Sequence, residues 1–81
     1  MKIRVVAFAS ATDALGAAER ELELPAGSGL VALGERLCRE HPGLAPLWSR
    51  LALAVDGEVR TGEAALADGC EVALLPPVSG G

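Results

Sequence analysis

Only one stretch of this 81-residue chain carries a helical period long enough to cover a sheet. Leu30, Leu33, Leu37 and Cys38 share one stripe, while Glu35, Arg36, Arg39 and Glu40 form the opposite face. Ser28 stands where a side-chain oxygen caps such a helix, and Pro42-Gly43 breaks it near His41. On both sides of this helix the apolar residues alternate instead, with the period of strands. A chain with one helix and several short strands buries its apolar surface by laying that helix over one face of a sheet.

The strands are short but well marked. Residues 2–9 place Ile3, Val5 and Ala7 on one parity and Lys2, Arg4, Val6 and Phe8 on the other. The first parity faces the core; the second begins charged and turns apolar. Residues 11–15 predict a helical turn or two, stopped by Gly16. Leu22 and Leu24 alternate with Glu21 and Glu23 in a second strand, ended by Pro25-Ala26-Gly27. Leu44, Leu47 and Trp48 predict a further packed turn, with Trp48 as a plug on the sheet edge. Residues 51–55 form a strand that Asp56-Gly57 returns as a hairpin into the short, polar edge strand 58–60. Residues 70–75 form the last strand, with Cys70, Val72 and Leu74 inward and Glu71, Ala73 and Leu75 outward. The order strand, strand, helix, strand, strand, strand fits an α+β fold of the β-grasp type, a mixed sheet of about five strands under one main helix. A five-stranded barrel is the other candidate, and it needs more strand length than the sequence offers.

Composition excludes several functions. The chain is 51% hydrophobic, too apolar for a disordered segment, and small enough that its core is thin. Its net charge of −4 argues against a basic nucleic-acid surface and weakly favours basic protein partners. Two cysteines and one histidine supply neither a disulfide scaffold nor a four-ligand metal site, so no metal is expected. Cys38 and Cys70 lie on apolar parities, where a free thiol packs as a small hydrophobe. No apolar run reaches the ~18–20 residues of a membrane span, and a cytoplasmic location is expected.

The carboxyl end is the least ordinary feature. A β-grasp domain over 1–75 is followed by a tail, residues 76–81, that reads Pro76-Pro77-Val78-Ser79-Gly80-Gly81. Two terminal glycines add nothing to packing and are costly to order. The Pro-Pro step keeps the tail extended, with a reach of about 20 Å. Gly80 and Gly81 have no side chain, so a narrow channel in another protein admits them, carboxylate first. That carboxylate becomes an electrophile once ATP converts it to an acyl-adenylate, from which a sulfur nucleophile displaces AMP. The chain has no phosphate-binding loop, so a partner must supply the ATP chemistry.

The run from Asp68 to Gly81 resembles the carboxyl-terminal signature of the molybdopterin synthase small subunit, a family of sulfur carriers. The opening Ile3-Arg4-Val5-Val6-Ala7-Phe8-Ala9 and the segment Leu53-Ala54-Val55-Asp56-Gly57 resemble it too. Many relatives have Asn at the place of Asp56, and either residue suits the turn. The resemblance implies a ubiquitin-like β-grasp carrier that is a non-catalytic sulfur-donor subunit of a transferase complex. An E1-like adenylyltransferase would adenylate Gly81 with ATP, and a sulfur donor protein would supply the sulfur of its thiocarboxylate. The large synthase subunit, in a heterotetramer, would use that sulfur to build the molybdopterin dithiolene from cyclic pyranopterin monophosphate. Gly81 would carry the reacting group, with Pro76, Pro77, Val78, Ser79 and Gly80 giving access.

The resemblance also makes the first and last strands neighbours, so that Val6, Phe8, Ala73 and Leu75 form one outward apolar patch beside the root of the tail. That patch is the expected partner face. Lys2 and Arg4 are either steering charges for an acidic patch or merely solvated. The same tail would serve a carrier for thiamine or tRNA thiolation, or a ubiquitin-like protein modifier. A non-catalytic β-grasp interaction domain with an incidental glycine end is the third reading.

Overall fold

A computed structural model of the chain describes residues 1–77. The elements follow the order β1 (Lys2–Ala7), α1 (Ser10–Leu15), β2 (Glu19–Glu23), α2 (Leu30–Glu40), a 3-10 turn (Pro42–Leu44), α3 (Ala45–Trp48), β3 (Ala52–Val55), β4 (Glu58–Arg60) and β5 (Glu71–Leu75). The five strands make one mixed sheet in the order β2-β1-β5-β3-β4. Only the central β1–β5 pair is parallel; the other three pairs are antiparallel. This is the β-grasp arrangement expected from the element order.

The core forms between one face of the sheet and the helices. Ile3, Val5 and Ala7 of β1 meet Val72 and Leu74 of β5 there, with Leu30, Leu33 and Leu37 of α2 above them. Ala11 and Leu15 of α1, Leu44 and Leu66 close the sides. Burying a leucine or valine of this kind contributes roughly 1.5–3 kcal/mol, so eleven or so such residues carry the fold of a small domain. No polar side chain is buried among the described residues.

Local chemistry fixes the ends of the elements. Gly16 stops α1 in the left-handed conformation, φ 79°. Asp56 and Gly57 both take positive φ, 48° and 86°, as a two-residue type I′ hairpin turn requires. Asp56 also clasps the start of β5. Its N–H donates to the Glu71 carbonyl at 2.8 Å, and its Oδ1 accepts the Glu71 N–H at 2.9 Å.

The start of α2 departs from the expected Ser28 cap. Gly29 is the N-cap and no side chain caps the helix. The Ser28 hydroxyl instead donates to the Pro25 carbonyl at 2.7 Å, closing the turn before the helix. The first helical N–H, of Leu30, is taken by the Ala64 carbonyl at 3.0 Å, so the connector 61–69 supplies the acceptor a serine would have supplied.

Trp48 packs half-buried against the core, and its indole also lies against Gly34 of α2, a contact the sequence did not announce. A Cβ at Gly34 would stand 2.6 Å from Trp48 Nε1 and 2.7 Å from Cε2. A mid-helix glycine costs about 1 kcal/mol in propensity, and here the close approach of a rigid ring explains it. No helix among the described residues is long and apolar enough to cross a membrane.

Gly34→Ala therefore pits a gain in helix propensity against overpacking of about 1–3 kcal/mol. The expected outcome in urea unfolding is a net loss of stability of up to about 2 kcal/mol, although the same substitution stabilises an open helix.

Candidate docking face and tail root

The side of the sheet away from the helices is uncovered, and the strand register sorts it into rows. Val6 of β1 pairs with Ala73 of β5, Ala73 with Ala54 of β3, and Ala54 with Val59 of β4. Paired residues share a face, so these four make one apolar row across four strands. Ala52 pairs with Leu75 one step further along. Phe8 continues the β1–β5 pairing, its N–H donating to the Leu74 carbonyl at 3.3 Å.

The four residues expected on the patch thus lie together. Val6, Ala73 and Leu75 are half-buried, and Phe8 is 48% exposed. The expectation missed Ala52, Ala54 and Val59, the last 66% exposed. The signal for Ala54 and Val59 was present, because a two-residue Asp56-Gly57 turn forces Ala54 opposite Val59. What could not be read was which strand stands on the far side of β5 from β1.

The same face is charged at its other end. Arg4 pairs with Glu71 on one side and Glu21 on the other, and Lys2 pairs with Glu23. The Arg4 guanidinium lies 2.9 Å from the Glu71 carboxylate and 3.8 Å from that of Glu19. Lys2 Nζ is 3.9 Å from Glu21. All of these groups are about half or more exposed, so the pairs add little stability. They neutralise Lys2 and Arg4 locally and leave an acidic margin of Glu19, Glu21 and Glu23 along β2.

Because β1 and β5 run parallel, the apolar half of the face lies at the end where β5 leaves the sheet. Leu75 ends β5, half-buried Pro76 follows, and Pro77 is exposed. Phe8 stands beside this root, and the next residue, Ala9, holds φ 50° in a region that glycine prefers. The remaining tail residues expected to act, Val78, Ser79, Gly80 and Gly81, lie outside the described residues.

The two thiols are set apart from this face. Cys70 is buried in the core and Cys38 packs half-buried against it, and burial pushes both thiols above their usual range. A thiol raised in this way is little ionised at neutral pH and is a poor nucleophile. Among the described residues, no group of three His, Cys, Asp or Glu side chains gathers as a metal site would.

A family model described as the ThiS family matches residues 5–81. The chain belongs to the ThiS family. Among its relatives in that comparison of sequences, a Chlamydomonas reinhardtii protein named molybdopterin synthase sulfur carrier subunit is 36% identical over 83 residues, spanning all of both chains. The Arabidopsis thaliana protein of the same name is 32% identical over 81 residues, covering all of this chain and 84% of that one. A solved Pyrococcus furiosus structure, described as a putative molybdopterin converting factor subunit 1, superposes with a TM-score of 0.87 at 28% identity. It covers 96% of this chain and 99% of its own. This ThiS-family chain thus shares its fold over nearly its full length with that converting-factor subunit.

The inside–outside assignment of β1 makes a clean prediction. Val5 is fully buried and Phe8 is not. Val5→Ala is expected to lower unfolding stability by more than about 1 kcal/mol, and Phe8→Ala by less, as read in urea titrations of the free chain.

Proposed function

We propose that this chain is the sulfur-carrying subunit of a molybdopterin synthase and that Gly81 is its reacting residue. The observation that carries the reading is the placement of the apolar face beside the root of the tail, in a chain matched end to end by sulfur-carrier subunits. A partner that covers Val6, Phe8, Ala73 and Leu75 receives the tail at a fixed position and direction. From there the six residues 76–81 reach about 20 Å when extended.

In this reading an E1-like adenylyltransferase first attacks ATP with the Gly81 carboxylate. The carboxylate oxygen bonds the α-phosphorus, pyrophosphate leaves, and an acyl-adenylate results. A sulfur nucleophile delivered by a donor protein then bonds the carbonyl carbon, and AMP leaves with the electron pair. When that nucleophile is the outer sulfur of a donor persulfide, the product is an acyl disulfide; a thiol then attacks the donor-side sulfur, the S–S bond breaks, the thiocarboxylate leaves with the electron pair, and the thiol and donor are left joined as a disulfide. The large synthase subunit takes this tail and uses its sulfur to build the dithiolene on cyclic pyranopterin monophosphate. This chain's part is to present the group. The docking face sets the geometry, the Pro76-Pro77 step keeps the tail extended, and Gly80 and Gly81 let it enter a channel that a side chain would block.

Two substitutions at different places test this reading. Removal of Gly81 is expected to abolish thiocarboxylate formation, read by mass spectrometry with the activating enzyme, ATP and a sulfur source, without changing the unfolding midpoint. Normal modification of the shortened chain would overturn the assignment of Gly81. Leu75→Glu places a charge on the docking face and is expected to weaken binding to the large subunit by more than about 1 kcal/mol. Unchanged affinity in a titration would remove the face from the interface.

A further inference from the structure

The sheet ends in two open edges, β2 on one side and β4 on the other, and they differ in what they can pair with. The short β4, Glu58-Val59-Arg60, is exposed along its whole length. Its central residue, Val59, is the most exposed large hydrophobic among the described residues. We propose that β4 is a homotypic edge: two copies of this chain pair antiparallel through Glu58-Val59-Arg60, with Val59 opposite Val59, and join their sheets into one.

The hairpin sets the backbone directions. In a two-residue turn the flanking residues, here Val55 and Glu58, exchange both ladder hydrogen bonds, and the direction alternates from there. The N–H and C=O of Val59 therefore point away from β3. The far side of β3 agrees. The Asp56 N–H donates to the Glu71 carbonyl of β5 at 2.8 Å, which turns Ala54 toward β5 and Val55 toward β4. A second β4, related by a two-fold axis normal to the sheet, meets the free groups with its own. Each Val59 N–H then donates to the partner's Val59 carbonyl.

Side chains fix the register. Opposed residues of an antiparallel pair share a face, so with Val59 opposite Val59 each Glu58 stands opposite the partner's Arg60. Within one copy these two groups already lie 3.1 Å apart, and both are more than half exposed. Across the seam they are free to pair again, while the apolar row from Val6 to Val59 runs on into its counterpart. The neighbouring registers that keep both faces aligned set Glu58 against Glu58 or Arg60 against Arg60, and both are repulsive.

The β2 edge excludes the same pairing. The Met1 amino group donates to the Leu24 carbonyl at 2.8 Å and the Ala7 N–H to that of Ala18 at 2.8 Å, so Arg20 and Leu22 face β1 while Glu19, Glu21 and Glu23 turn their backbone outward. Two such strands, paired antiparallel with faces aligned, oppose glutamate to glutamate. The Glu23 carbonyl is also taken, by Arg36 Nη1 at 2.9 Å. An antiparallel β4 laid on β2 sets Val59 against a glutamate. Pairing therefore closes at a dimer instead of propagating. In that dimer five strand spacings, about 24 Å, separate the two β5 strands, which leave the sheet at opposite ends. Neither tail root lies at the seam, so the pairing is independent of the sulfur-carrier reading.

The full chain alone tests the pairing, by sedimentation equilibrium and by NMR across a range of concentrations. The seam is short, below the ~1,200 Å² of a standard interface, so a dimer is expected at about 1 mM and is lost on dilution to about 10 µM. The amide resonance of Val59 is expected to move with concentration, while that of Glu21, on the other edge, stays. Val59→Lys, at a position 66% exposed in the free chain, is expected to keep the unfolding midpoint and abolish the dimer. Arg60→Glu and Glu58→Arg are each expected to be monomeric alone and to form a one-to-one dimer when mixed, because the mixture restores opposite charges across the seam. A natural chain that stays monomeric at about 1 mM overturns the proposal. So does a dimer that survives Val59→Lys or either charge reversal, or a mixture of the two reversed chains that stays monomeric.

Discussion

The parallel pairing of β1 with β5 is the interaction on which the rest of the molecule depends. It joins the two ends of the chain, Arg4 with Glu71 through Ala7 with Leu74, at the centre of the sheet. Val5 and Val72, both fully buried, are neighbours in this pair and form the floor under α2. Every other strand hangs from it, β2 on the outer side of β1 and the β3–β4 hairpin on the outer side of β5. Such a contact closes nearly the whole chain as one loop, and its entropic cost is recovered only when both faces of the central strands find cover. One face is covered by α2. The other is covered only in part, by the side chains of its own neighbours, and under the proposed function this remaining apolar surface is where a partner docks.

Parallel pairing also decides where chemistry can stand. Had β1 and β5 run antiparallel, Phe8 would lie at the opposite end from Pro76, and no apolar patch would flank the tail. With the observed direction, the apolar ends of both strands coincide with the exit of the chain. The inward positions of the described strands and helices are given to Ile, Val, Leu, Ala and Cys, with no buried polar side chain. Under the proposed function, the interior of this domain serves to hold one strand end still, and the reacting group lies beyond the fold.

Much of this was legible in the sequence, for reasons that differ by element. The helix at Leu30–Glu40 and the core parity of β1 and β5 follow from periodicity, because burial on one side is what the pattern encodes. The Asp56-Gly57 hairpin follows from turn chemistry. The Ser28 cap was not legible, since the competing acceptor at Ala64 arrives from 34 residues away in sequence and nothing local announces it. Gly34 and Trp48 failed to declare themselves for the same reason: the glycine is explained by a ring that meets it through tertiary packing. Val59 was assigned to a polar edge strand on composition, and its place on the docking face depends on the order of strands, which sequence spacing alone leaves open.

The candidate docking face has a direction as well as a place. One end is apolar across four strands, from Val6 to Val59, bounded at the β2 edge by Glu19 opposite Val6; the other carries Lys2 and Arg4 among Glu21, Glu23 and Glu71. Apolar burial is indifferent to rotation of the partner about the face normal, so a patch of small aliphatic residues alone would leave the tail pointing in several directions. The charged end removes that freedom. A partner with basic groups over the β2 margin is attracted in one orientation, and in the reverse one those groups would meet the apolar row while the glutamates lost solvent without compensation. Individually exposed pairs of this kind contribute little affinity, but their pattern selects among orientations of similar buried area. Under the proposed function the reacting atom lies six residues beyond the last strand residue, and that selection matters more than added affinity, because a terminus delivered to the wrong side of a channel does no chemistry.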